Sequence, residues 1–316
     1  MKKFITITIM VILSLALTLT LTACAGDNDT APQATPSPAN GSGGNDTDTA
    51  SPPADVPPPP PDPGIEFTPE EYFEFRIYAD GVAIRAYTGT EYSVRVPAEI
   101  QGYPVTRVLS FAFYGNDRLT EVYLPDSVTT IEERAFAYSS LVSITLPNGL
   151  EYIGLAAFEN TRLSEIDIPG SVVEIGAAAF GAVPLTSVVI GYGVTTIGRG
   201  AFLSLRSQFT EVIIPDSVTY IGPGAFQKTQ LTTVELGNSV VTIGSHAFGY
   251  TQLTNITLPD GLESIGMNAF TDTQLTSINI PDSLTSIGRG AFRGTNITDE
   301  ATRERILAIN PYAFAR

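Results

Sequence analysis

The chain is 316 residues long and strongly acidic: 33 Asp and Glu against 17 Lys and Arg give a formal net charge of −16, with one His and one Cys. Acidity on this scale disfavours a nucleic-acid backbone as partner. One Cys excludes an internal disulfide framework, and one His excludes a zinc site built on paired imidazoles.

Lys2 and Lys3 precede an apolar run from Phe4 to Leu21, the basic and hydrophobic parts of a secretory signal. By length alone the run would also serve as an uncleaved membrane anchor. Leu21-Thr22-Ala23-Cys24 follows, and these residues are similar to the lipobox of bacterial lipoproteins, in which the Cys is acylated and becomes the new N-terminus. Residues 1–23 then form a cleaved lipoprotein signal peptide. The resemblance implies several acyl chains on Cys24, and stable anchoring needs more than one. Whether the lipid enters a plasma or an outer membrane stays open.

From residue 24 to 66 the chain turns to Pro, Ala, Gly, Ser, Thr, Asn and Asp, with no Lys or Arg. Such a stretch cannot bury enough apolar surface to fold, so it is expected to be a disordered tether. Its reach runs from about 35 Å as a flexible coil to about 130 Å fully extended.

Residues 67–118 read as an N-terminal cap. Aromatic and charged residues from Tyr72 to Tyr87 precede a degenerate unit made of Val94, Val96, Val105, Val108, Ala112 and Phe113. Regular units then fill residues 119–296, beginning at Leu119, Leu141, Leu163, Leu185, Phe209, Leu231, Leu253 and Leu275. Each ends in Ala-Phe, and the phenylalanines Phe113, Phe136, Phe158, Phe180, Phe202, Phe226, Phe248, Phe270, Phe292 and Phe314 recur every 22–24 residues. A period in the low twenties is the mark of a solenoid whose units cannot bury their apolar face alone.

Within a unit, Val122 and Leu124 alternate as in a strand with one buried face, and Pro125 ends it. Pro-Asp-Ser, Pro-Asn-Gly or Gly-Asn-Ser supplies a tight turn. Val128 and Ile131 predict a brief extended segment on the opposite side of the coil. Gly after the isoleucine, as at Gly154, Gly176 and Gly198, is expected to permit a sharp reversal before Ala-Phe. In residues 297–316, acids precede apolar residues from Asp299 to Ile309, which predicts a short capping helix with Thr298 or Asp299 as N-cap.

The recurring Leu-x-x-Ile-x-Ile-Pro-x-x-Val-x-x-Ile-Gly-x-x-Ala-Phe pattern resembles the BspA-type leucine-rich repeat of bacterial surface proteins, over about Tyr72 to Arg316. The resemblance implies a mostly β α/β solenoid, a leucine-rich repeat array of 22–24-residue coils with short parallel strands, displayed on a bacterial cell surface. It also implies adhesion to, or binding of, an extracellular, host or microbial protein. The family often carries Cys three residues after the Phe, where Thr161, Thr229, Thr251, Thr273 and Thr295 stand here.

Outward positions of successive parallel strands must form files. One file is Glu121, Ser143, Glu165, Ser187, Glu211, Thr233, Asn255 and Ser277; the other is Tyr123, Thr145, Asp167, Val189, Ile213, Glu235, Thr257 and Asn279. The candidate binding face is drawn from these: Glu121, Tyr123, Glu165, Asp167, Val189, Glu211, Ile213 and Glu235, with Leu205 from a two-residue insertion before Phe209. An apolar spot in a polar surface suits a contact site. Val and Ile are equally at home on a wet strand face for their β propensity alone.

Catalysis has no support. His246 takes a place held elsewhere by Arg134, Ala156, Gly200 or Asn268, which makes it a turn residue, and acid pairs such as Glu165 and Asp167 lie on an open face. Asp126, Asp216, Asp260 and Asp282 recur in register with Asn148 and Asn238; stacked carboxylates could hold a hard cation, but turn chemistry accounts for Asp and Asn alike. No cofactor, metal site or catalytic residue is therefore expected. The competing class is a passive structural surface component. Oligomeric state is not readable from the chain.

Overall fold

A computed structural model describes residues 66–315. The signal peptide, Leu21, Thr22, Ala23, Cys24 and nearly all of the expected tether lie outside the described residues.

Strands β1 (Phe73–Tyr78) and β2 (Gly81–Tyr87) form an antiparallel hairpin, followed by β3 (Ser93–Arg95), β4 (Glu99–Ile100) and β5 (Tyr103–Val108). The chain then alternates between two sides of a coil: β6 (Glu121–Tyr123), β7 (Thr130–Ile131), β8 (Ser143–Thr145), β9 (Tyr152–Ile153), β10 (Glu165–Ile168) and β11 (Glu174–Ile175). It continues as β12 (Ser187–Ile190), β13 (Thr196–Ile197), β14 (Glu211–Ile214), β15 (Tyr220–Ile221), β16 (Thr233–Leu236) and β17 (Thr242–Ile243). Two more short strands, β18 (Ser264–Ile265) and β19 (Ser286–Ile287), lead to helix α1 (Glu300–Ile309).

Apart from β4, which pairs antiparallel with β5, the two-residue strands are the extended segments expected on the far side of each coil. They pair in parallel, in the order β5-β7-β9-β11-β13-β15-β17-β18-β19, and β2 joins them through β5. On the opposite side the ladder is cut into three pieces: β3-β6-β8, β10-β12 and β14-β16.

Between the two sides lies the core. Phe136 through Phe292 are fully buried, and their rings stack in one file with centroids 5.2–5.6 Å apart. The backbone reinforces the file, since the Phe158 N–H donates to the Ala179 carbonyl (2.8 Å) and the Phe180 N–H to the Ala201 carbonyl (2.8 Å). Where the family favours Cys, Thr161, Thr229, Thr251 and Thr273 are buried, and each hydroxyl donates to the carbonyl of the Phe three residues earlier at 2.8–3.0 Å. A small side chain that satisfies its own polar group locally can stand in the core without cost to its neighbours.

The glycine after each isoleucine has a role other than the expected reversal. A Cβ on Gly176 would meet the Gly154 carbonyl carbon and the Ile153 carbonyl oxygen at 2.6 Å, so this position is where successive coils touch backbone to backbone. The left-handed turn falls two residues later, at Arg134 (φ 51), Ala156 (φ 53), Ala178 (φ 52), His246 (φ 59) and Asn268 (φ 54) among others. That confirms His246 as a turn residue.

Both ends are covered as the sequence predicts. Tyr87 stacks on Phe113 at 5.6 Å and Phe73 packs on Tyr87 at 5.5 Å. At the other end the Arg303 guanidinium lies 4.0 Å over the Phe314 ring. Asp299 is the N-cap of α1, accepting the Thr302 N–H at 2.8 Å, and hydrogen bonds from Thr302 hold its carboxyl below the usual carboxylate range.

Candidate functional site

Alternation within β10, β12 and β14 buries Ile166, Ile168, Val188, Ile190, Val212 and Ile214 and turns their neighbours outward. Parallel pairing sets these neighbours in register, Glu165 beside Ser187 and Asp167 beside Val189, then Glu211 beside Thr233 and Ile213 beside Glu235. Outward files thus run within β10–β12 and β14–β16, and within β6–β8, while the coils that begin at Leu253 and Leu275 form no strand on this face.

Their members are not equivalent. Toward the N-terminal end, Ser93 Oγ donates to Glu121 Oε2 (2.9 Å), Tyr123 Oη donates to Glu121 Oε1 (2.8 Å), and Arg95 lies 4.7 Å over the Tyr123 ring. Glu121 and Tyr123 therefore spend their polar groups within the protein. At the far end, Asn279 turns back on the preceding coil: its Nδ2 donates to the Leu258 carbonyl and its Oδ1 accepts the Leu258 N–H, both at 2.7 Å.

The centre is open. Val189 is 52% exposed and Ile213 61%, and the two line a shallow groove of about 430 Å³ together with Tyr192, Glu211 and Glu235. This groove lies over the junction between β12 and β14, which belong to different sheets. Of the expected contact residues, Val189, Glu211, Ile213 and Glu235 meet here. Glu165 and Asp167 sit on β10, the next strand along, and Glu121 and Tyr123 lie on β6.

Leu205 is exposed but does not line the groove. It stands in the loop after the Phe202 turn, which two buried serines knit together. Ser204 Oγ accepts the N–H groups of Arg206 (3.0 Å) and Ser207 (3.2 Å) and donates to the Val183 carbonyl (3.0 Å). Arg206 extends from it to Asn160 Oδ1 at 3.1 Å.

Tyr192, 62% exposed, is the large exposed groove residue missed from sequence, beside the smaller Thr186, Thr210 and Pro215. A signal was present: its turn reads Gly191-Tyr192-Gly193 where most units have Pro-Asp-Ser or a close variant. Both glycines lie against the previous coil, since a Cβ on Gly191 would meet the Pro169 carbonyl carbon and one on Gly193 would overlap the Gly170 carbonyl oxygen.

The repeated turn acids do not converge. Asp216 Oδ1 accepts the Asn238 N–H at 2.7 Å, and Asp282 accepts Arg305 at 2.7 Å. Among the described residues no group of three or more His, Cys, Asp or Glu is placed to hold a metal ion.

Stacked coils of this length with a parallel ladder on each side define a leucine-rich repeat solenoid. The family model described as the BspA type leucine rich repeat region matches residues 106–207 and 204–316, and the chain belongs to that family. Among solved structures, a Treponema pallidum (T. pallidum) leucine-rich repeat protein is 26% identical, covering 78% of this chain and 96% of its own at a TM-score of 0.49. A leucine-rich cell surface protein from Faecalibacterium prausnitzii A2-165 is 23% identical over 74% of this chain and 81% of its own, at a TM-score of 0.44. The pneumococcal vaccine antigen PcpA is 21% identical over 74% of this chain and 75% of its own, with a TM-score of 0.51 that supports a shared fold. No curated protein matches the chain.

Proposed function

We propose that this protein is a lipid-anchored binding protein of the bacterial cell surface, whose solenoid captures an extracellular protein partner on its ladder face, centred on the groove over β12 and β14. The observation that carries the reading is the pair Val189 and Ile213, exposed side by side on a face whose other outward positions are mostly polar. Exposed apolar groups grouped in a concavity and rimmed by polar ones suit a contact site. The match to the BspA type leucine rich repeat region and the lipobox-like Leu21-Thr22-Ala23-Cys24 support that location.

Saturable capture of the full chain by matrix proteins or neighbouring cells is the expected result, lost in Val189→Ser/Ile213→Ser. Non-saturable capture, indifferent to that variant, would return the protein to the passive structural class. Anchoring has its own test: the parent chain should incorporate labelled fatty acid and lose residues 1–23, and Cys24→Ser should do neither. A parent chain that takes no label yet stays in the membrane fraction would favour the uncleaved anchor.

A further inference from the structure

We infer that the groove over β12 and β14 takes a cationic, apolar segment of polypeptide, one that presents an aliphatic side chain flanked by Lys or Arg; this deepens, and rests on, the reading of the ladder face as the binding surface. Three observations meet there. The outward file through the groove reads Asp167, Val189, Ile213, Glu235, so that register places a carboxylate beyond each end of the apolar pair. The groove is lined by Glu211 and Glu235 and by no Lys or Arg, and neither carboxylate joins an ion pair among the described residues.

The third is in the backbone. β12 pairs with β10 and β14 with β16, but no ladder joins β12 to β14 among the described residues. Both strands contribute to the groove lining, Ser187 to Ile190 from β12 and Glu211 to Ile213 from β14, so the groove runs along this break in the ladder. A groove of about 430 Å³ has the scale of a cleft for a few side chains and is too small for a folded domain.

Physical chemistry then selects the occupant. An aliphatic side chain seated on Val189 and Ile213 removes apolar surface from water. Cations beside it pair with Glu211 and Glu235 at positions partly shielded by the same contact, while an acidic peptide or an anionic lipid surface meets like charge.

The test uses the full chain and short synthetic peptides in which leucine alternates with lysine, with serine or with glutamate. The leucine–lysine peptide should bind saturably and more weakly as salt rises. Its affinity should fall about tenfold in Glu211→Gln/Glu235→Gln, as two partly exposed ion pairs are lost. Glu151→Gln/Glu263→Gln removes the same charge from exposed sites outside the groove and should leave affinity unchanged. Equal binding of the glutamate or serine peptide, equal weakening by the two double variants, or no saturable binding would overturn the cationic partner. If Val189→Ser/Ile213→Ser still abolishes capture of matrix or cells in that case, the binding-face reading stands with a partner of other chemistry. Capture unchanged by that variant removes the reading itself.

Discussion

The rings of Phe158 and Phe180 stack with centroids 5.2 Å apart and planes within 4° of parallel. Each ring is therefore a floor for one coil and a ceiling for the next. Phe180→Ala should open a cavity that neither neighbour can fill and cost about 3–5 kcal/mol, read as a shift in the denaturant midpoint. Phe314→Ala, at the partly buried end of the file, should cost measurably less.

Gly176 and Ala178 should respond with opposite signs. Gly176→Ala drives a methyl into the backbone of the preceding coil and should destabilise by about 1–3 kcal/mol. Ala178, at φ 52, carries the cost of a left-handed residue, so Ala178→Gly should gain about 0.5 kcal/mol after the added freedom of the unfolded chain is subtracted. Equal denaturant curves for the two variants would contradict this division of roles.

Ile213 and Ile214 are adjacent, yet one is 61% exposed and the other 1%. Ile214→Ala should cost about 2–5 kcal/mol, whereas Ile213→Ser should stay within about 0.5 kcal/mol. Unfolding of both variants under one set of conditions checks the pair, and the near-neutral result is what makes Ile213 usable in a binding experiment.

His246 carries a pH signature. Burial pushes its imidazole below the ordinary value of 6.5, and Arg293 pushes it the same way. Its Nδ1 has no hydrogen-bond partner among the described residues, and its Nε2 lies 3.3 Å from Asn268 Nδ2, an arrangement in which the amide donates to an unprotonated nitrogen. Below pH 6.5 the unfolded chain binds a proton that the folded chain refuses, so stability is lost on acidification from 6.5 down to the folded value and regained as pH rises. His246→Asn, which suits the left-handed turn as Asn268 does, should flatten that slope. Glu159, raised by burial, contributes in the opposite sense, and comparing the variant with the parent cancels it.

What the sequence made legible follows from what repeats. The Phe file, the far-side extended segment of each coil, the capped ends and a helix capped at Thr298 or Asp299 are all written as residue types at fixed spacing, whereas the coils from Leu253 and Leu275 carry the alternating apolar residues without forming a strand on the ladder face. The turn was misplaced because glycine has two uses, and both look alike in sequence. At Gly176 the constraint is the neighbouring coil, while the left-handed residues Ala156 and Ala178 bear no mark of their conformation. The outward files were legible from alternation, but the internal engagement of Tyr123 with Glu121 and Arg95 depends on the rotamers of three residues from two units at once. Leu205 was grouped with Val189 and Ile213 because it is near them in sequence; it is exposed but is not among the residues that line the groove.

The hairpin β1–β2 and helix α1 do more than shield the terminal rings. A stack of parallel strands ends at each terminus in a row of N–H and C=O groups that could template another copy, a ready route to fibrils. Here the final strand on one flank is antiparallel and charged, with Glu74 and Arg76 along it. On the other flank α1 covers the stack, and Asn310 Nδ2 donates to the Ile287 carbonyl at 2.6 Å. Many such molecules crowded on one surface can thus stand beside each other without zipping into polymers.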